Sequence, residues 1–243
     1  MKFSFARNAL AMTALLTLAS CGGGKATFPI NVTVYNVLYD GLVLTTNGQD
    51  LAIHPGSDTS QPVNAVFPNE LEYGQTYDVT PKIETTTGTD GKAVTTIKYP
   101  QHQTCQQSPN YPTNLPTYGT AGQLGKIQMY FVCSINAYPL VAKVTGLRGT
   151  GLTLANGSGV APVSISPALD ANNAPTGADI PDLTLFSVTF NTTYGVTILT
   201  QPKDQTCTIS GGANGTGAGT MDVAAEAAGG VKNFVIACSN NPA

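Results

Sequence analysis

A chain of 243 residues is long enough for one large domain or two ordinary ones, and 42% hydrophobic residues are enough for a buried core. Charged residues make up only 10%, polarity comes from Thr, Asn, Ser, Gln and Gly, and there are 16 Pro, 26 Gly and no Trp; this suits short strands joined by turns and argues against long helices, which draw on Glu, Lys, Leu and Arg. The net charge is −3, or −5 from 9 basic and 14 acidic residues once Lys2 and Arg7 are set aside, and no basic patch points to a nucleic-acid partner.

The chain opens with a leader. Lys2 and Arg7 precede an apolar run from Ala9 to Leu18, shorter than the about 20 residues a spanning helix needs. It ends in Leu18-Ala19-Ser20-Cys21, followed by Gly22-Gly23-Gly24. Leu, a small residue, Ser and Cys in that order resemble the lipobox of bacterial lipoproteins. The resemblance implies a signal peptide over 1–20, cleavage before Cys21, and lipidation of Cys21 with palmitate-class acyl chains. It also implies a lipidated tether over 21–27. Each buried methylene adds about 0.8 kcal/mol, so two or three chains hold a protein to a membrane where one does not. Gly at position 22, where Asp would retain Gram-negative cargo, resembles a protein sorted to the outer membrane; periplasmic and surface orientation both stay open.

After the tether, short β-branched and aromatic runs alternate with turn residues. Strands are expected at Ile30–Tyr39, Leu42–Thr46, Asp50–His54, Glu70–Glu72, Tyr77–Ile83, Val94–Tyr99 and Ile127–Cys133. In Tyr77-Asp78-Val79-Thr80, Tyr77 and Val79 share one strand face and Thr80 takes the other. Ile83 to Tyr99 reads as a hairpin turning at Asp90-Gly91. Residues 106–122 form a long Pro-rich loop carrying Tyr111, Leu115 and Tyr118. Beyond the short link Ile135-Asn136-Ala137, strands are expected at Val141–Leu147, Thr153–Ala155, Ala161–Ile165, Leu185–Phe190, Tyr194–Thr200, Cys207–Ser210 and Asn233–Cys238.

The two halves repeat one plan. Gly41-Leu42-Val43-Leu44 recurs as Gly151-Leu152-Thr153-Leu154, each followed by an Asn-Gly, Asn47-Gly48 and Asn156-Gly157. Thr76-Tyr77-Asp78-Val79-Thr80 recurs as Thr193-Tyr194-Gly195-Val196-Thr197. Gln103-Thr104-Cys105 recurs as Gln205-Thr206-Cys207, and Cys133-Ser134 as Cys238-Ser239. The modules span roughly 28–134 and 138–239. Setting Cys21 aside leaves four cysteines, an even number suited to disulfides in an exported chain. Of the three pairings, the repeat favours Cys105–Cys133 and Cys207–Cys238, against crossed pairing or free thiols. The first module carries the insertion: 25 residues separate Thr80 from Cys105, but 10 separate Thr197 from Cys207.

About seven short strands per roughly 100 residues fits an all-β fold of two tandem immunoglobulin-like β-sandwich modules, with a β-barrel as the competing answer. The arrangement is similar to the tandem Gly-Leu-X-Leu, Gln-Thr-Cys, Cys-Ser repeats of bacterial exported lipoproteins and surface proteins. That resemblance covers about residues 32–239 and implies fold and location; the first module departs from it through its insertion and long loop.

Chemistry-bearing residues are sparse. His54 and His102 share no zinc-site spacing and read as solvated loop residues. No Gly-X-Ser-X-Gly elbow occurs, and the cysteines are committed to lipid and disulfides. Asp170, Asp179 and Asp182 lie in one loop, but without EF-hand spacing a solvated loop is the better reading than a calcium site. The glycine-rich stretch 211–217 has no lysine or following helix to hold phosphate and reads as a loop between disulfide-linked strands. No cofactor or metal is expected, and no catalytic residue. The expectation is a lipid-anchored, non-catalytic binding or structural protein of the cell envelope. Its partners would be the membrane, through its lipid, and an envelope protein or glycan, bound through Tyr111 or Tyr118. A carbohydrate-binding accessory module is the alternative, and an envelope enzyme the least favoured. Covering the module's own core is the equal alternative for the two rings.

Overall fold

A computed structural model describes residues 25–108, 116–157 and 160–242. Cys21 and Tyr111 lie outside the described residues. The chain divides into two compact units, one of residues up to Lys98 with Gln106–Val132, the other of Tyr99–Cys105 with Cys133 onward.

The first half holds β1 (Thr27–Phe28), β2 (Ile30–Tyr35), β3 (Leu42–Thr46), β4 (Gln49–Ile53), β5 (Val63–Val66), β6 (Leu71–Glu72) and β7 (Thr76–Asp78). There follow β8 (Thr80–Pro81), β9 (Ile83–Thr87), β10 (Ala93–Ile97), β11 (Gln103–Gln107), β12 (Tyr118–Thr120) and β13 (Ile127–Ile135). One sheet runs β11-β13-β2-β5 and another β4-β3-β8, with β7 paired to β12. The strand pattern follows from alternation. In β13, Ile127, Met129, Phe131 and Cys133 are buried while the residues between them are not, so one face of the pleat meets the core. Leu42 and Leu44 of β3 and Ile53 of β4 supply the opposing sheet, and Tyr77 and Val79 are both buried while Thr80 is exposed. Asn47 and Gly48, with φ of 48° and 72°, make the two-residue turn joining β3 to β4, where positive φ at both positions matches the strand twist.

The second half holds β14 (Ala137–Thr145), β15 (Leu152–Asn156), β16 (Val163–Ile165), β17 (Ile180–Thr189), β18 (Thr193–Thr200), β19 (Gln205–Ser210), β20 (Ala218–Thr220), α1 (Val223–Ala227) and β21 (Val231–Asn240). Its sheets run β17-β14-β21-β19 and β16-β15-β18-β20. Leu140, Val144, Phe234 and Ile236 from the first and Leu152, Leu154, Tyr194 and Val196 from the second form one core, with Tyr194 edge-on to Phe234 at 6.0 Å.

The sequence repeat is a repeat of topology. In both halves the first and last long strands pair in parallel, β2 with β13 and β14 with β21, flanked by β5 or β17 on one side and β11 or β19 on the other. The opposing strands match as β4-β3-β8 and β16-β15-β18, with β7 and β8 interrupted only at Val79 where β18 runs unbroken. The fold is thus all-β, two sandwich modules each closed by its own disulfide, Cys105–Cys133 and Cys207–Cys238. Each bridge joins neighbouring strands of one sheet, with Cys207 directly opposite Cys238, whereas antibody domains bridge two facing sheets.

Five strands, β1, β5, β11, β12 and β20, and the helix α1 were not expected from the sequence. β12 and β20 read Tyr-Gly-Thr and Ala-Gly-Thr, and a central glycine hides a strand by weakening its own propensity. Each glycine is required by a tyrosine across the ladder. Gly119 faces Tyr77 and Gly219 faces Tyr194, and a Cβ there would stand 2.7 and 2.3 Å from the respective phenol oxygens.

Candidate functional site

The inserted segment is a hairpin. β9 and β10 pair antiparallel from Ile83↔Ile97 to Thr87↔Ala93, and Gly88 N donates to Lys92 O across the turn. At its root Val43 both receives and donates: Lys82 N donates to Val43 O and Val43 N to Lys98 O. Lys82 Nζ meets Asp50 Oδ2 at 2.5 Å, and Lys98 Nζ meets Glu84 Oε2 at 2.9 Å. The Lys82 ammonium also holds the Asp50 carboxyl below its ordinary range. Beyond the root the strands are exposed on both faces, and Ile83 (60%), Ile97 (46%) and Val94 (44%) show large apolar surface.

Tyr118 opens β12, opposite Asp78 of β7, and is 64% exposed. It therefore does not cover the core. The second repeat confirms that the fold does not need a ring there, because the equivalent residue opposite Gly195 is Ala218. Leu115 and Tyr111 lie outside the described residues, so Tyr118 is the part of the expected aromatic loop that can be placed.

His102 departs from its reading as a solvated residue. It lies in a left-handed turn, φ 61°, with a side chain only 7% exposed. Its Nδ1 meets the Glu226 carboxylate, its ring stacks on Phe190 with centroids 3.6 Å apart, and Tyr138 Oη donates to the other Glu226 oxygen at 2.6 Å. Burial, and then the neighbouring Glu226, push the Tyr138 phenol up from its ordinary value. By sequence His102 lies within the first module, but its partners come from the turn after β17 and from α1, which sequence spacing does not reveal. α1 itself had a legible signal: Asp222 caps it, accepting from Ala225 N at 2.9 Å, and Gly229 and Gly230 follow with positive φ. His54 pairs with Asp40 at 2.8 Å, both exposed.

The turn at His102 occurs twice, and the motif is longer than Gln-Thr-Cys. Pro100 and Pro202 stand three residues before the paired glutamines, and their carbonyls accept from Gln103 N and Gln205 N. His102 and Asp204 share the left-handed conformation, φ 61° and 59°. Asn136 N donates to His102 O at 2.8 Å, and Asn241 N to Asp204 O at 3.0 Å. Thr104 Oγ1 donates to Asn136 Oδ1 at 2.7 Å, and Thr206 Oγ1 to Asn241 Oδ1 at 2.6 Å. Gln103 and Gln205 are both buried. Gln205 has its whole amide engaged: Oε1 accepts from Arg148 N and Gly149 N, and Nε2 donates to Gly146 O and Asn240 Oδ1.

The loop acids act separately. Asp170 Oδ1 accepts from Asn172 N and Ala174 N within its own turn, and Asp179 pairs with Lys143 at 2.7 Å. Among the described residues no three His, Cys, Asp or Glu side chains stand together as a metal site, and no helix is long and apolar enough to cross a membrane. Against this geometry, no protein-family model, no curated protein and no solved structure matches the chain.

Proposed function

We propose that this is a lipid-anchored protein of the bacterial cell envelope with a non-catalytic binding role, in which the first repeat carries recognition. The observation that carries the reading is the inserted hairpin. β9 and β10 are absent from the second repeat, add no buried residue and place Ile83, Ile97 and Val94 in solvent. The other repeat has the same topology without them, so folding alone gives no reason for the insertion; loops and insertions on a rigid scaffold are where binding residues concentrate. Export is supported by the two disulfides, which persist in oxidising compartments, and anchoring by the lipobox-like run ending at Cys21.

The test is cross-linking on intact cells, followed by recovery of the protein from its native host. A folded variant lacking Glu84–Thr96 is expected to lose the envelope protein captured by the unmodified chain. Retention of every captured protein would sink the reading. A second reading, a carbohydrate-binding accessory, is favoured by the exposed Tyr118 ring. Glycan-array binding that disappears in a Tyr111→Ala, Tyr118→Ala double variant would support it.

A further inference from the structure

The duplicated turn is occupied in one copy and open in the other. In the first copy Phe190 N donates to Asn136 O at 2.8 Å, its ring lies on His102, and Glu226 brings a carboxylate to the His102 ring. All of these residues belong to the second compact unit. In the second copy, Asp204 and Asn241, the equivalents of His102 and Asn136, line a pocket of about 490 Å³ together with Arg148, Thr150, Lys203 and Asn240. That volume is within the range of ligand pockets.

The two copies differ in charge. Lys203 replaces Gln101, Asp204 replaces His102, and Arg148 stands where the first repeat has Leu38. The pocket is therefore lined by two basic residues and one acidic one, in a chain that is otherwise acidic. Neither Arg148 nor Lys203 forms an ion pair among the described residues; the nearest partner of the guanidinium is Pro175 O, at 3.5 Å from Nη1. Guanidinium and ammonium groups at a polar concavity select an anion, the planar guanidinium favouring a carboxylate. The side-chain oxygens of Asn240 and Asn241 accept bonds from Gln205 and Thr206, which leaves their NH₂ groups as further donors.

We propose that this pocket docks a protein segment presenting a carboxylate beside a backbone N–H, the two groups that Glu226 and Phe190 present to the first copy. The carboxylate meets Arg148 and Lys203, and the N–H meets the Asn241 carbonyl. This deepens the binding role proposed above by naming the partner chemistry of a second surface. Its test uses purified protein and simple probes, so its failure leaves the lipid anchor and the hairpin untouched.

The experiment titrates full-length ¹⁵N-labelled protein in detergent with three probes: N-acetyl-Phe-Glu amide, N-acetyl-Phe-Gln amide and digalacturonic acid. Expected are saturable shifts of the Gly149, Thr150 and Asn241 amides with the Glu peptide. The Gln peptide is expected to bind at least about fivefold more weakly, the loss of about 1 kcal/mol. Raising the salt to about 0.5 M should weaken the Glu peptide further, since exposed charges are screened. Lys203→Gln, a change at the exposed rim, should weaken the Glu peptide and leave the melting curve in place; Arg148→Gln should do the same. The proposal is overturned by the absence of saturable shifts, by equal binding of the Glu and Gln peptides, by undiminished binding in both variants, or by tighter binding of the digalacturonate than of the Glu peptide.

Discussion

At the scale of single residues, the strongest constraints are polar and steric, and both repeats share them. Gly119 and Gly219 leave room for the rings of Tyr77 and Tyr194, so Gly219→Ala drives a methyl into a phenol that is already buried. Overpacking of this kind costs about 1–3 kcal/mol, and urea denaturation should show a loss of that size for each glycine, with Gly125→Ala, whose Cβ meets nothing, as the unaffected control. Gln205 holds four backbone or side-chain partners. Truncation in Gln205→Ala strands buried groups and should cost about 1–3 kcal/mol, whereas Gln201, which is exposed, tolerates the change better even though it bonds Cys207. Tyr77, Tyr138 and Tyr194 all have phenols raised above the ordinary value, burial being the leading cause. A folded pKa above the unfolded one, near 10, gives stability that is complete below about pH 10 and is lost as pH rises through the folded values. Stability should therefore fall on the alkaline side, and an ultraviolet titration should resolve late-ionising tyrosines that become normal on unfolding.

At the scale of elements, the hairpin β9–β10 separates folding from recognition. An isolated two-stranded ribbon is marginal in water, and this one is held by its root at Val43 and by the Lys82–Asp50 and Lys98–Glu84 pairs. Joining Ile83 to Ile97 through Asn-Gly removes exposed surface and the surface ion pairs of Glu84, and leaves Lys82–Asp50 in place. The melting midpoint should therefore change by no more than the about 0.5 kcal/mol typical of surface changes, and calorimetry checks this before any binding measurement. A large loss would mean that the hairpin is structural. The helix α1 is five residues long, buries none of them, and acts by carrying Glu226 to His102 and Tyr138. Glu226→Gln keeps the shape but removes the charge and should loosen the 99–105 turn, which amide exchange at Gln103 and Thr104 would report.

At the scale of the whole molecule, two modules with one topology each carry a bridge between neighbouring strands. Chain-entropy restraint for loops of 28 and 31 residues is worth roughly 3–4 kcal/mol per bridge, so reduction should lower both melting transitions, and non-reducing peptide maps should contain no Cys105–Cys207 pair. The alternation of apolar residues, the Gly-Leu-X-Leu pairs and the duplicated Gln-Thr-Cys and Cys-Ser motifs were enough, by themselves, to set the all-β class, the repeat and the bridges, because strand period and side-chain identity are local properties that a linear reading preserves. The apparent match of Asn47-Gly48 with Asn156-Gly157 did not survive. The structure aligns Leu42 with Leu152, which places Thr46 against Asn156: Thr46 Oγ1 accepts from Asp78 N and Asn156 Oδ1 from Gly195 N. Tertiary structure alone decided three further matters: the parallel pairing of first and last strands, the burial of His102 between Phe190 and Glu226, and the charged pocket at Arg148 and Lys203. Each joins residues that are distant in the chain, and such contacts are set by how sheets pack and which loops meet, which no local sequence pattern encodes.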